Sequence, residues 1–308
     1  MYRLIRFYNQ NRKVIIRAIL VIALIIIIIQ LLNNSAKKQN SERVSANTNT
    51  NLNNEIKNET LISKKSSITG ETVNSSNLEN SKQLINSFMN YCNEKKLNEA
   101  YSLISNDCKN EMFATVEEFK TIYYDNVFNN TTKLYTIENY VDNIYEVNIK
   151  DNILSTGKID SENNISNYIA IVKDEVTKEN KLNINNFIKK DEINKQYQNS
   201  IITFNFRNKL QYMDYTYIDV DITNNSDQTI ILDDLQTIYG MYLIDDNNIR
   251  YYAYTNELSK AQLTVGSGGK TTIRIKYFCK YNSTRKIKQI GFSNLILGYD
   301  RKEYIFGI

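Results

Sequence analysis

The chain has 308 residues, with 38 Lys and Arg against 34 Asp and Glu for a formal charge of +4. Arg3, Arg6, Arg12, Lys13 and Arg17 supply much of that slight excess, so no basic footprint for nucleic acid remains elsewhere. His, Pro and Trp are absent, which excludes a Ser-His-Asp triad, a Cys-His dyad and any imidazole metal ligand.

The first predicted element is an apolar helix over Val14 to Leu32. At the helical rise it covers roughly 28 Å, close to the hydrocarbon thickness of a bilayer. Arg17 sits one turn inside the run, where its side chain reaches back to the headgroups. The positive-inside rule keeps residues 1–13 cytoplasmic and puts the rest outside, in a single-pass protein of the cell membrane. A cleaved signal peptide shares the basic start, but Gln30 to Ala36 shows no small-x-small cleavage site, and no cysteine follows for lipid attachment. The lipid bilayer is therefore the first expected partner.

Residues 33–80 are rich in Asn, Ser, Thr, Lys and Glu without a sustained period. Such a tract cannot bury enough apolar surface to offset the entropy of ordering and reads as a flexible tether, with a root-mean-square span of roughly 35–40 Å.

Order is expected from Ser81. Leu84, Ile85, Phe88, Met89 and Cys92 repeat at helical spacing, as do Leu97, Ala100, Tyr101 and Ile104 after the break at Glu94-Lys95-Lys96. Thr115 with Glu118 forms a capping-box signature, and Phe119, Ile122 and Tyr123 supply one face of a third helix. The period then changes to two at Tyr145, Val147 and Ile149 and at Tyr168, Ala170 and Val172; Leu182 and Ile184 begin the last strand. Helices followed by antiparallel strands predict an α+β domain over 81–195.

The segment Leu84 to Phe128, with its phrases Lys96-Leu97-Asn98-Glu99-Ala100-Tyr101 and Thr115-Val116-Glu117-Glu118-Phe119, resembles the NTF2-like, or cystatin-like cone, superfamily. Tyr168 to Phe187 looks like the closing strands of that fold. The resemblance implies helices laid on one face of a curved sheet. It leaves activity open, because the superfamily holds isomerases and dehydratases beside non-catalytic domains of exported proteins and subunits of conjugation and secretion machines. An enzyme needs an acid or base inside the cone. Tyr91, Tyr101 and Tyr123 lie near apolar faces with Asp107 and Asp125 in reach of them, but no spacing singles out a base.

A connector is expected around Lys189 to Gln198, and 196–308 then read as all-β. Ile202, Phe204 and Phe206 alternate with polar neighbours, as do Thr216, Ile218, Val220 and Ile222, and Thr271, Ile273, Ile275, Tyr277 and Cys279. Turn clusters at Asn224 to Asp227, Asp245 to Asn248 and Gly266 to Gly269 separate at least about seven strands, which argues a β-sandwich. Val220 to Ser226, Tyr242 to Asp245 and Leu263 to Phe278 are similar to strands of the immunoglobulin-like domains in exported and anchored proteins of Gram-positive bacteria, with Val265 where Pro often precedes the Gly turn.

Cys92, Cys108 and Cys279 read as small buried apolar residues, with no cofactor or metal implied. Asp219, Asp221, Asp233-Asp234 and Asp245-Asp246 lack EF-hand spacing for calcium. The one candidate site is a partner-binding patch of outward tyrosines: Tyr212, Tyr215, Tyr217, Tyr251, Tyr252 and Tyr254. Together these features predict a tethered, non-catalytic, protein-binding scaffold of the bacterial cell envelope, whose partners are other envelope proteins. The alternatives are a subunit of a conjugation or secretion complex and an NTF2-like surface enzyme of isomerase or hydrolase type.

Overall fold

The computed structural model describes residues 75–152, 164–175, 177–234 and 239–308. The N-terminus at 1–13, the span expected at 14–32 and the tether as far as residue 74 lie outside the described residues. No helix among the described residues is long and apolar enough to cross a membrane. A small helical region is followed by a mostly β region.

The first described helix, α1, runs Ser75–Asn93 and so begins inside the stretch expected as tether. Leu78 explains the early start: it is buried and continues the apolar face of Ile85 and Cys92 at seven-residue spacing. Lys95 turns the chain with a positive φ of 60° into α2, Leu97–Ser102. Next comes a helix with no counterpart in the periodicity, α3, Asn106–Met112. The Ser105 hydroxyl caps it by accepting from the Cys108 amide at 3.1 Å.

The capping box forms in part. Thr115 accepts from the Glu118 amide at 3.1 Å, but the Glu118 carboxylate reaches back to the Ala114 amide at 2.7 Å. This cap starts α4, Val116–Phe119, which passes through a π turn over Lys120–Tyr124 into α5, Asp125–Val127. The wider turn corrects the predicted face. Phe119, Tyr123, Tyr124 and Phe128 all point inward, whereas Ile122 is 45% exposed. With five residues spent per hydrogen-bonded loop, two adjacent tyrosines fit one face and Ile122 is rotated off it.

The helices cover one face of an antiparallel meander, β1 (Lys133–Val141), β2 (Ile144–Asp151), β3 (Ile165–Lys173) and β4 (Asn180–Asn183). Tyr135, Ile137, Val147, Ile149, Ile169 and Leu182 from the sheet share one core with Phe88, Phe113, Phe119, Tyr123 and Phe128. On the opposite face Val141, Ile144 and Ala170 meet Ile188 and Met213.

Ten strands follow among the described residues, in two sheets. One has the order β12-β7-β6-β5, from Lys270–Tyr277, Thr216–Asn224, Ile202–Tyr212 and Phe187–Gln198. The other has the order β10-β9-β13-β8-β11, from Arg250–Tyr252, Met241–Asp245, Ile287–Leu297, Ile230–Ile231 and Thr264–Val265, with β14 (Asp300–Gly307) also paired to β13. Phe204, Phe206, Val220, Ile273 and Ile275 of the first sheet face Met241, Leu243, Ile290 and Phe292 of the second across one interior. The connector expected over Lys189 to Gln198 is therefore strand. It lies at a sheet edge, where charged side chains such as Lys189, Asp191, Glu192 and Lys195 guard unpaired backbone and make a strand read as a linker.

β6 changes face halfway. Its register skips between Phe206↔Val220 and Asn208↔Asp219, so Arg207 is the extra residue of a bulge. Before it, Phe204 and Phe206 enter the sandwich interior; after it, Leu210 and Tyr212 enter the core beneath the helices.

Asn224, at the end of β7, is 1% exposed and ties two turns together. Its amide donates to the carbonyls of Gln228, Val265 and Gly266 at 2.7–2.9 Å, and its Oδ1 accepts from the Ser226 amide at 2.9 Å. Asn224→Ala leaves those buried groups unmet and is expected to lower stability by about 1–3 kcal/mol, measured as the shift in a urea unfolding midpoint at unchanged slope.

Candidate functional site

Residues paired across neighbouring strands share a sheet face, so the register lays out the outer face of the β12-β7-β6-β5 sheet in rows. One row is Glu192, Asn208, Asp219 and Arg274; the next, toward the helices, is Lys190, Leu210, Tyr217 and Lys276. The second row is where the polar face becomes aromatic.

Four of the six predicted tyrosines meet there. Tyr212 stacks on Tyr215 at 4.7 Å, and Tyr217 stands edge-on to both at 5.7 and 5.2 Å. The Lys276 ammonium lies 4.6 Å from the Tyr215 ring and 4.9 Å from the Tyr254 ring, and pairs with Glu257 at 2.9 Å. Tyr254 stacks on Phe278, which is 53% exposed. Tyr215, Tyr217 and Tyr254 are half-buried, while Tyr212 is buried and acts as the anchor beneath them. Burial also pushes the Tyr212, Tyr215 and Tyr217 hydroxyls above the usual range and keeps them neutral.

Arg274 joins this patch to the helices. Its Nε and Nη2 donate to the two Asp219 oxygens at 2.6 and 2.9 Å, and its Nη1 donates to Glu111 on α3. The guanidinium also faces the Tyr217 ring at 5.7 Å. The Asp219 hydrogen bond, followed by the two carboxylate charges, raises the guanidinium above its ordinary value. Burial raises the Glu111 carboxyl, and Arg274 only partly offsets it.

The remaining two tyrosines lie apart. The Tyr251 hydroxyl donates to Asp245 at 2.8 Å, and its ring faces Arg285 at 4.5 Å. Tyr252 stands edge-on to Tyr239 and Tyr242 at 4.7 and 6.2 Å. Asp245 also accepts from the Asn247 and Ile249 amides at 2.9 Å. Burial works to raise its carboxyl, but these bonds outweigh it and hold the group below the usual range.

Among the described residues, no three His, Cys, Asp or Glu side chains converge to hold a metal ion. Asp219 is bound to Arg274, and Asp221 accepts from the Thr272 hydroxyl at 2.7 Å. Cys92, Cys108 and Cys279 are buried and free, and burial pushes their thiols up, away from the reactive thiolate. Three of the residues weighed for a cone chemistry are engaged by neighbours or buried. The Tyr101 hydroxyl donates to the Phe113 carbonyl at 2.8 Å, Asp125 pairs with Lys120 at 2.8 Å, and Tyr123 is fully buried among rings.

Sequence reasoning missed Lys276, Phe278, Arg274 and Glu111. The first three were accessible to it: they are the outward complement of the alternation Ile273, Ile275, Tyr277. Glu111 was not, since it reaches Arg274 from a helix 163 residues away.

No family model matches the chain, and no curated protein matches it. Two solved structures are similar over part of it. The yjhA protein from Bacillus subtilis is 16% identical, covers 33% of this chain and 81% of its own, and has a TM-score of 0.25. A conserved hypothetical protein from Bacillus anthracis is 10% identical, covers 37% of this chain and 95% of its own, and has a TM-score of 0.26.

Arg274→Met strands the buried Asp219 carboxylate. The arginine itself is 42% exposed, so solvent screening limits the expected loss to about 1–3 kcal/mol in chemical denaturation. Glu111 gives a pH test. Its folded-state pKa is raised, so the folded protein binds this proton more tightly, and ionising the group costs stability as pH rises from the unfolded to the folded value. Stability measured against pH is expected to move in favour of Glu111→Gln across that window; a gap independent of pH, or one opening the other way, contradicts the assignment.

Proposed function

We propose that the chain is a single-pass membrane protein whose ectodomain, outside the cytosol, is a non-catalytic scaffold that binds other proteins of the bacterial cell envelope. The helices laid on one antiparallel sheet support an NTF2-like reading of the first module, and the two facing sheets support an immunoglobulin-like reading of the second.

The observation that carries the binding reading is the ladder Phe278, Tyr254, Lys276, Tyr215 on an outer sheet face. Exposed or half-exposed aromatic rings already fixed by stacking, beside an arginine held by two carboxylates, lose little side-chain freedom when a partner docks. The non-catalytic reading is supported by the helical module's interior, filled by Phe88, Phe113, Phe119, Tyr123 and Phe128 in mutual ring contact.

Two measurements on the full chain in its native membrane test the proposal. A photo-crosslinking residue at Phe278 is expected to give discrete protein adducts that the same residue at Tyr299, exposed at the tip of the β13–β14 hairpin, does not give; identical patterns contradict a binding patch. Ser267→Cys, in an exposed turn, is expected to react with a membrane-impermeant maleimide in intact cells. Labelling only after lysis contradicts the location.

A further inference from the structure

β14, eight residues long, is paired to β13 along one side. The Ile308 N–H donates to the Lys288 carbonyl at 2.8 Å. In an antiparallel ladder the bonding direction alternates, so Phe306 and Tyr304 turn their backbone groups toward β13, while Gly307, Ile305 and Glu303 turn theirs outward. The Tyr197 hydroxyl, on β5, donates to the Gly307 carbonyl at 2.6 Å and closes that end. Among the described residues, the outward N–H and C=O groups of Glu303 and Ile305 meet no partner.

Other edges of the described fold are guarded. The Asn93 side chain closes on the N–H and C=O of Lys133 at the start of β1, and Leu103 and Ser105 bond to Leu182 of β4. β5 carries charges and two register shifts, and Tyr252 and Tyr254 bond to Phe278 and Lys276 beside β12. Such devices keep a sheet edge from pairing with another chain.

On β14 the charges are drawn away from the edge. Arg301 reaches Asp234, and Glu303 accepts from the Tyr242 hydroxyl at 2.6 Å across β13. Gly291 of β13 permits that reach, because a Cβ there would lie 2.3 Å from the Tyr242 ring. Ile305 is left 45% exposed on a strand without proline, whose register shift puts the extra residue in β13.

We propose that two copies of this chain pair antiparallel through β14 and join their sheets across a two-fold axis at Tyr304. That axis sets Glu303 opposite Ile305 of the second copy, where each pair exchanges two backbone bonds, so the groups open on one copy are met by the same groups on the other. Tyr304 faces Tyr304 of the second copy as a cross-strand aromatic pair, and no like charges stand directly opposed. A foreign strand is selected through alternate side chains, and on this edge Arg301 and Glu303 are already engaged within the chain. The pairing rests on β14 alone and holds whether or not the aromatic ladder binds an envelope protein.

Sedimentation of the full chain in detergent is expected to show a concentration-dependent equilibrium between monomer and dimer. Ile305→Pro removes an N–H that faces away from β13, so the fold keeps its ladder while the dimer loses two bonds. The expected result is an unchanged thermal midpoint and a dimer dissociation constant raised about tenfold or more. Should proline disturb the strand, Ile305→Lys puts a charge on the edge and is expected to shift the equilibrium the same way. In the native membrane, Ile305→Cys is expected to give a dimer-sized product with a short bis-maleimide, the native Cys92, Cys108 and Cys279 being buried. Tyr299→Cys is expected to give none, since ten residues of strand, roughly 33 Å, would separate the two thiols. A monomer at every concentration overturns the proposal, as does a dimer that both Ile305 variants leave unmoved, or equal crosslinking at the two positions. An Ile305→Cys product that holds a different protein in place of a second copy overturns it too and assigns the edge to a foreign strand.

Discussion

One strand serves two interiors, and the rest of the described fold depends on how it does so. A regular strand sends alternate side chains to one face throughout, so without an interruption Leu210 and Tyr212 would follow Phe204 and Phe206 into the sandwich. The extra residue at Arg207 reverses the alternation and delivers them beneath the helices. β5 makes a matching shift between Glu192 and Lys195, with Asn194 in the left-handed region at φ 49°, and a second shift between Phe187 and Lys189 sets Phe187 opposite Tyr212. The two cores therefore lie on opposite faces of one sheet instead of being joined by a linker.

The position of the candidate site follows from that arrangement. Where the helical module stops covering the sheet, Tyr215 and Tyr217 are left half-buried, with one side against the core and the other toward solvent, and Tyr254 lies half-buried nearby. Arg274 closes the seam by holding Glu111 of α3 and Asp219 of β7 at once. Both modules must be folded for the patch to exist, so a contact made there reports on both modules and not on one.

Much of the local structure was legible in the sequence, because burial imposes its period on the residues that pack. The alternations in β6, β7 and β12 marked strands, and the apolar repeat from Leu84 to Cys92 marked α1. What escaped were the departures from period. The π turn at Lys120–Tyr124 costs one helical residue and leaves no compositional trace, and the bulge at Arg207 looks like an ordinary polar position. The charged edge of β5 read as a linker for the reason that protects it from aggregation. For the site, the tyrosine positions could be named but not grouped. Tyr212, Tyr215, Tyr217 and Tyr254 come together through pairing of β6, β7 and β12, whereas Tyr251 and Tyr252, adjacent to Tyr254 in sequence, turn to other partners on the second sheet.

Residue-resolved hydrogen exchange on the full chain, with and without Leu210→Ala, tests most directly whether the two modules form one cooperative unit. Truncating a buried leucine costs about 2–5 kcal/mol. If the shared strand couples the cores, the opening free energies of amides in α1 around Phe88 and in β7 around Val220 fall together by the same amount. A drop confined to α1, with β7 protected as before, would show that the helical module unfolds on its own and that the sheet does not unite them.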